Sequence, residues 1–447
     1  MLADQLWMKY APDLEVEWKQ AKYEGKDVDQ YEAACKEIAE AALSDDLEQT
    51  ALEMGARLSQ APLAAPREFD EPSDWAGIRR SLPDGEPVSK PTFDEEQLAD
   101  KIAGGWAGRI AGCLLGKPVE GFRREKLLEL LQATGNYPMS RYITTDRFTD
   151  DLIARLDLNM DATWADKIGL AAPLDDDTNY SVLALKMLEK YGPDFTPGDV
   201  AESWLSWVPM FDCCTAERVA YRNIAMGLCP PDTATLNNPY REWIGAQIRG
   251  DVFGYINPGD PGRAAEMAWR DASVSHIKNG IYGEMYVAAM IAGAYMTSSP
   301  TEVVGCGLAK IPPRSRLKRD IDTVLRWYAD GVSGEQAIDR IHELYDDHDV
   351  FDWCYTNPNA MIVTAALLHG DGDFGGTICL AVQGAFDTDC NGATAGSIAG
   401  VMLGLDTIPD YWYLQYHSAL ETSIMGFPRV TIAELTERTL RLIEINQ

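Results

Sequence analysis

Apolar residues recur at the spacing of an amphipathic helix along most of the chain, and this pattern sets the first structural expectations. Near the N-terminus, Tyr31, Ala34, Ile38, Ala41 and Leu43 fall at roughly helical intervals between charged positions, which predicts helices up to about Ser59. A stretch with six prolines (Pro62, Pro66, Pro72, Pro83, Pro87 and Pro91) and few apolar runs follows, and it reads as a linker or a wrapping arm. From Glu95 onward the helical period returns in long segments, while strand-like alternation is scarce and short, as at Tyr142 to Thr145. The expectation is an all-α protein, with a helical N-terminal extension and Pro-rich linker over residues 1–92 and a helical main domain over residues 93–447.

Two of the predicted helices carry glycine at every fourth position: Gly104, Gly108, Gly112 and Gly116 in one, Gly392, Gly396, Gly400 and Gly404 in the other. Glycine costs a helix about 1 kcal/mol relative to alanine, so two such stripes require a compensating close approach of helices. A membrane pairing is disfavoured, because the first helix contains Lys101 and Arg109 and the second is short. Between them, Arg241 to Arg249 reads as an amphipathic helix, and Asn257-Pro258-Gly259-Asp260-Pro261-Gly262 as a tight loop before another helix. The run around Tyr282 to Met296, rich in alanine and glycine, reads as a packed central helix. Glu284 is its exception, since a carboxylate rarely enters a core unpaired; Arg270 and Lys278 are candidate partners, and a cavity-facing position is the other option.

Charge narrows the function classes. Lys and Arg total 39 against 70 Asp and Glu, a formal charge of -31, so a phosphate backbone would be repelled and nucleic acid is not expected as a partner. The nine cysteines show no CxxC pair or zinc-ligand spacing and read as free thiols in a reducing compartment. Asp4, Lys9, Asp13, Glu15 and Glu17 interrupt any signal-like core, and no segment approaches an uninterrupted membrane span, so a cytoplasmic protein without a membrane partner is expected.

Scattered acidic residues are a solvated face, but clustered ones need another account. Asp175-Asp176-Asp177-Thr178 precedes the apolar run Tyr180 to Leu185, which places three carboxylates at a helix N-terminus. A cap needs one of them; three in succession repel one another unless a cation offsets them. Asp387-Thr388-Asp389-Cys390 opens the second glycine helix in the same manner, and carboxylates at i and i+2 can turn toward one cation, as oxygen-rich sites for Mg²⁺ or Mn²⁺ require. Together the two clusters are able to supply a bridged pair of cations.

The order of these motifs resembles the ADP-ribosylglycohydrolase family from about Gln97 to Gly404: a glycine-rich first helix, Gly116-Lys117-Pro118-Val119-Glu120, Asp175-Asp176-Asp177-Thr178, and near the C-terminal end Asp387-Thr388-Asp389. The resemblance implies an all-α fold that uses two Mg²⁺ or Mn²⁺ ions to cleave N- or O-glycosidic bonds of ADP-ribose. It implies Asp175, Asp176, Asp177, Asp387 and Asp389 as metal ligands, and it puts Cys390 at a further ligand position that commonly holds Thr; a thiol is a soft ligand for a hard cation. Glu120 becomes the candidate general acid/base, with Asp176 and Asp389 sharing proton handling. A family loop containing Asn and Gly and a Thr/Ser-His pair lie near the substrate, which makes Asn257, Gly259, Asp260 and His276 candidate substrate contacts. Asp260 would repel a diphosphate, so an N-glycosidase for nucleosides or other small sugar conjugates is the alternative to an ADP-ribosylated substrate. A metal-dependent ADP-ribose-binding or regulatory protein without chemistry is the third reading. Residues up to about Lys90 lie outside the resemblance, with capping the pocket, dimerisation and stabilising the domain as their open roles.

Overall fold

The computed structural model describes residues 7–66, 68–83 and 92–446; the later part of the Pro-rich linker, with Pro87 and Pro91, lies outside them. Helix dominates, and the strands among the described residues are Ala419–Glu421 and Arg429–Thr431, paired antiparallel with Leu420 opposite Val430. Tyr142 to Thr145 is not part of a sheet: the Tyr142 N–H donates to the Tyr411 hydroxyl at 3.0 Å, and side-chain packing on Trp412 holds the segment instead.

Helices Leu14–Tyr23, Glu32–Glu40 and Asp45–Gln60 form where the N-terminal periodicity places them. Ser44 starts the third, its hydroxyl accepting from the Leu47 N–H at 3.1 Å. These helices enclose a small core of their own, including Tyr10, Leu14, Trp18, Val28 and Leu58. Ion pairs seat the first of them on the following residues, where Arg241 takes Glu17 at 2.8 Å and Glu24 at 2.9 Å; Arg316 takes Glu71 of the Pro-rich stretch and Glu242, each at 2.8 Å. The described part of the Pro-rich stretch wraps the main domain, where the Pro72 carbonyl accepts from the Tyr282 hydroxyl at 2.6 Å and the Ser73 carbonyl from the Trp269 indole at 2.9 Å.

The two glycine helices, Glu95–Gly116 and Thr388–Leu403, pass through the core side by side in opposite directions. Gly104 meets Gly400, Gly108 meets Gly396, Gly112 meets Gly392, and Gly116 meets Thr388, each so closely that a β-carbon would overlap the facing backbone. Backbone contact along both stripes is the compensation that the seven helical glycines require; Gly404, expected as the eighth, instead ends the second helix with a left-handed φ of 82° and faces the Asp100 side chain. Because the pair is antiparallel, the end of the first helix, which leads to Glu120, lies beside the start of the second at Asp387 and Asp389. The Thr388 hydroxyl fixes this register by donating to the Gly116 carbonyl at 3.0 Å.

Arg241 to Arg249 departs from the amphipathic helix that its pattern predicts. It ends in a 3₁₀ turn, Ile244–Arg249, and is buried throughout. Its charged positions are inside because they are paired: Arg241 with Glu17 and Glu24, Glu242 with Arg316, and Arg249 with Glu217 and, at 2.5 Å, Asp271, whereas the buried Gln247 amide has no hydrogen-bond partner. Glu284, fully buried on the central helix Lys278–Ala294, pairs with Arg249 at 3.7 Å. The two expected partners face elsewhere, Arg270 toward Glu266 and Lys278 toward Glu24. No helix among the described residues is long and apolar enough to cross a membrane.

Candidate metal centre

Asp175 is the cap of helix Asp176–Tyr191: its Oδ1 accepts from the Asp177 N–H at 2.9 Å, and its other oxygen takes the Lys117 ammonium. Asp175 therefore serves the helix start while one of its oxygens still lies in a ligand group with Asp177. Asp177 turns inward to Arg109, Nη2 to Oδ1 at 2.8 Å, with both side chains fully buried. Arg109, on the first glycine helix, also donates to the carbonyls of Asp177 and Ile248 at 2.9 and 2.7 Å, which locks that helix to the acidic loop. The second Asp177 oxygen is buried without a hydrogen-bond partner. Ligand atoms of Asp177, Asp389 and Cys390 lie within 4.8 Å of one another.

The second loop reaches the site through an unusual backbone. Ala385 and Phe386 take left-handed φ angles of 59° and 56°, a conformation that costs non-glycine residues on the order of 1–3 kcal/mol each. Asn359 holds the turn, its Oδ1 accepting from the Asp387 N–H at 3.1 Å and from Asn391 Nδ2 at 2.8 Å. The His342 ring packs on Phe386 and meets the Gly384 carbonyl at 2.9 Å. Ligand oxygens of Asp387, Asp389 and Glu120 consequently come within 4.8 Å of one another. The Cys354 thiol donates to Asp387 Oδ2 at 3.3 Å.

Six carboxylates gather here, Glu120, Asp175, Asp177, Asp387 and Asp389 through overlapping groups of ligand atoms and Asp176 near enough to raise Glu120, and the ion pairs they make are with Lys117 and Arg109. Arg109 is further shared with Asp251 at 3.3 Å. Negative charge is thus in excess, and the titration of the group reflects it. Burial, followed by repulsion from Asp175 and Asp389, raises Asp176 to about 8. Burial likewise raises Asp177, against the pull of Arg109, and Asp387 and Asp389 together with their acidic neighbours. Glu120 stands at the solvent edge and is raised first by Asp389 and then by burial. Oxygen donors, an unpartnered buried carboxylate oxygen and surplus negative charge all suit hard divalent cations. The thiols of Cys113 and Cys390 lie in the same groups; burial and the nearby carboxylates push both upward, which keeps them neutral and poorly suited to ligation.

The structure places the other expected site residues in structural contacts. Asn257 donates to the Phe253 carbonyl at 2.8 Å and accepts from Asn446 at 3.0 Å. Gly259 takes a left-handed φ of 73° and donates its N–H to the Ala292 carbonyl at 2.9 Å. Asp260 caps helix Pro261–Ala272 through the Arg263 N–H at 3.0 Å. His276 is buried, with Nδ1 2.8 Å from the Ser275 hydroxyl and 3.9 Å from Glu217. Conversely, Arg109, Lys117, Cys354 and Asn359 contact these carboxylates or their backbone, and the residue pattern alone marks them weakly or not at all. For Arg109 a signal exists, a lone charge within an apolar, glycine-striped helix segment; Lys117 adjoins Glu120 in the same motif.

A profile of the ADP-ribosylglycohydrolase family matches residues 94–446. A solved structure described as an ADP-ribosylglycohydrolase-related protein complex is similar at 19% identity and a TM-score of 0.48, over 79% of this chain and 100% of that one. No curated protein matches the sequence. The family match runs from the start of the first glycine helix to the last described residue, and the chain belongs to the ADP-ribosylglycohydrolase family, whose members are helical glycohydrolases.

Proposed function

We propose that this protein is a divalent-metal-dependent glycohydrolase acting on a ribosyl N- or O-glycosidic bond, with ADP-ribose conjugates as its substrate class and residues 93–447 as its catalytic domain. The observation that carries this reading is the gathering of carboxylates from three separate segments, linked through Asp389, with one buried Asp177 oxygen left unpartnered. Asp175, Asp176, Asp177, Asp387 and Asp389 would hold two Mg²⁺ or Mn²⁺ ions, with Cys390 alongside them as a neutral thiol. Such ions, when bound, orient vicinal sugar hydroxyls and polarise the reacting groups.

The chain's own residues supply the rest. Lys117 and Arg109 fix the orientation of Asp175 and Asp177. Glu120, at the solvent edge, is the general acid/base: it gives a proton to the leaving group or takes one from the water that attacks the anomeric carbon. Asp176 and Asp389 share that proton handling. Asp260 caps helix Pro261–Ala272 through the Arg263 N–H, a role that does not require it to face the substrate.

A panel of ADP-ribosylated protein, free ADP-ribose conjugates and plain nucleosides, each incubated with Mg²⁺, Mn²⁺ or EDTA, tests the proposal. Metal-dependent release of ADP-ribose from the first two is expected. Cleavage of nucleosides alone would move the assignment to an N-glycosidase, and binding without turnover across the panel would contradict hydrolysis altogether.

A further inference from the structure

The segment over residues 345–355 lies between the N-terminal extension and Asp387 and touches both. On the extension side, Tyr23 closes helix Leu14–Tyr23; its hydroxyl donates to Asp352 Oδ1 at 2.7 Å, and its ring stacks on Phe351 and Tyr355 with centroids 5.3 and 5.1 Å away. One turn earlier, Lys19 pairs with Asp349 at 2.7 Å, and Asp349 in turn accepts from the backbone N–H groups of Phe351 and Asp352 at 2.9 and 3.2 Å. On the site side, the Cys354 thiol donates to the Asp387 carboxylate at 3.3 Å. Asn359 completes the connection: its Nδ2 donates to the carbonyls of Trp353 and Tyr355 at 3.2 and 2.8 Å, and its Oδ1 accepts from the Asp387 N–H at 3.1 Å. Direct contacts therefore run without a gap from residues outside the family match to both the backbone and the side chain of Asp387.

We propose that Lys19 and Tyr23 are positioning residues for the metal centre, which act through the 349–354 segment to set how Asp387 presents its carboxylate and hence how tightly the centre holds a divalent cation. This rests on the reading of Asp387 as a metal ligand. Two physical arguments support it. Asp387 follows two left-handed non-glycine residues, and such a turn persists only where its surroundings over-determine it. The 345–355 segment carries a single 3₁₀ turn, Asp352–Cys354, so its shape depends on side-chain anchors more than on a backbone ladder. Groups that orient a metal-ligating carboxylate change affinity about 10–100-fold, and one contact further out the effect is smaller. The extension is then part of the working site as well as a stabilising jacket.

Binding of Mn²⁺ to the full-length protein, followed by the paramagnetic resonance of free Mn²⁺ without substrate and at temperatures well below unfolding, tests this directly. Tyr23→Phe keeps the ring stack and removes the bond to Asp352; Lys19→Met keeps the stem and removes the ion pair. Each variant is expected to weaken Mn²⁺ binding roughly threefold to tenfold while the unfolding temperature stays near that of the wild type. Combined with Cys354→Ala, Tyr23→Phe should add less than its own effect, because both act on the same carboxylate. Wild-type affinity in both single variants, losses that simply add in the double variant, or a loss confined to partly unfolded samples would each overturn the positioning role. Absence of Mn²⁺ binding by the wild type would instead overturn the metal-centre reading, so the two failures are distinct.

Discussion

At the junction with the N-terminal extension, Glu17, Glu24, Glu71 and Glu242 face Arg241 and Arg316; at the metal centre, six carboxylates chiefly face one another. Burial disfavours the charged form in both places, yet the outcomes are opposite. Burial pushes Glu24 up, but Arg241, Lys278 and Lys26 more than offset it and hold its carboxyl well below the usual range; Arg316 does the same for Glu71. At the centre nothing of that size compensates, and Asp176, Asp177, Asp387, Asp389 and Glu120 all lie above their ordinary values. A paired buried carboxylate holds structure together, whereas a cluster short of cations is prepared for charge that arrives with a ligand.

Removing a charge from each region should separate the two most strongly. Asp389→Asn is expected to lower metal-dependent cleavage by more than about 100-fold, measured as ADP-ribose release, and to raise the unfolding temperature of the metal-free protein, because one source of repulsion is gone. Arg241→Ala should do the reverse. It strands the buried Glu17 and leaves Glu24 to Lys26 and Lys278, each at 3.5 Å, which is expected to destabilise the fold by about 3–5 kcal/mol in urea unfolding, equally with Mn²⁺ and with EDTA. Gly112→Ala probes the scaffold beneath the centre: its methyl group would overlap the Gly392 carbonyl, at a cost of about 1–3 kcal/mol, with weaker Mn²⁺ binding because the helix ends carrying Glu120 and Asp389 are pushed apart.

The mildest test is pH. Asp176, raised from an ordinary 3.8 to about 8, favours folding in its protonated form, so its contribution is complete in acid and is lost as pH rises through about 8. Glu24 and Glu71, held below their ordinary 4.5, contribute fully above that value and lose their effect as pH falls from there through their own lowered values. Metal-free protein should therefore lose thermal stability between about pH 5 and 8, and Mn²⁺ should flatten or reverse that slope by replacing the protons.

How much of this the sequence discloses depends on whether a feature leaves a periodic or clustered trace. Glycine every fourth residue foretells the close helix pair, and the pairing of stripes carries Glu120 to Asp389. Both Asp loops at helix starts are legible for the same reason, with Asp175 as the cap and its neighbours as the surplus. Arg241 to Arg249 misleads, because paired arginines inside a core imitate the polar face of a surface helix. Asn359 and Cys354 leave no trace in the pattern; they act on Asp387 across 28 and 33 residues of chain, and only the folded backbone brings them near. Asn257 to Asp260 shows the converse, a motif whose observed contacts are those of a turn and a cap.

Anomalous scattering from crystals of the full-length protein soaked in Mn²⁺ decides whether the six carboxylates form a divalent-cation site. Manganese peaks enclosed by Asp175, Asp176, Asp177, Asp387 and Asp389 are expected. Manganese bound elsewhere, with that cluster empty at saturating Mn²⁺, would contradict a divalent-cation site there.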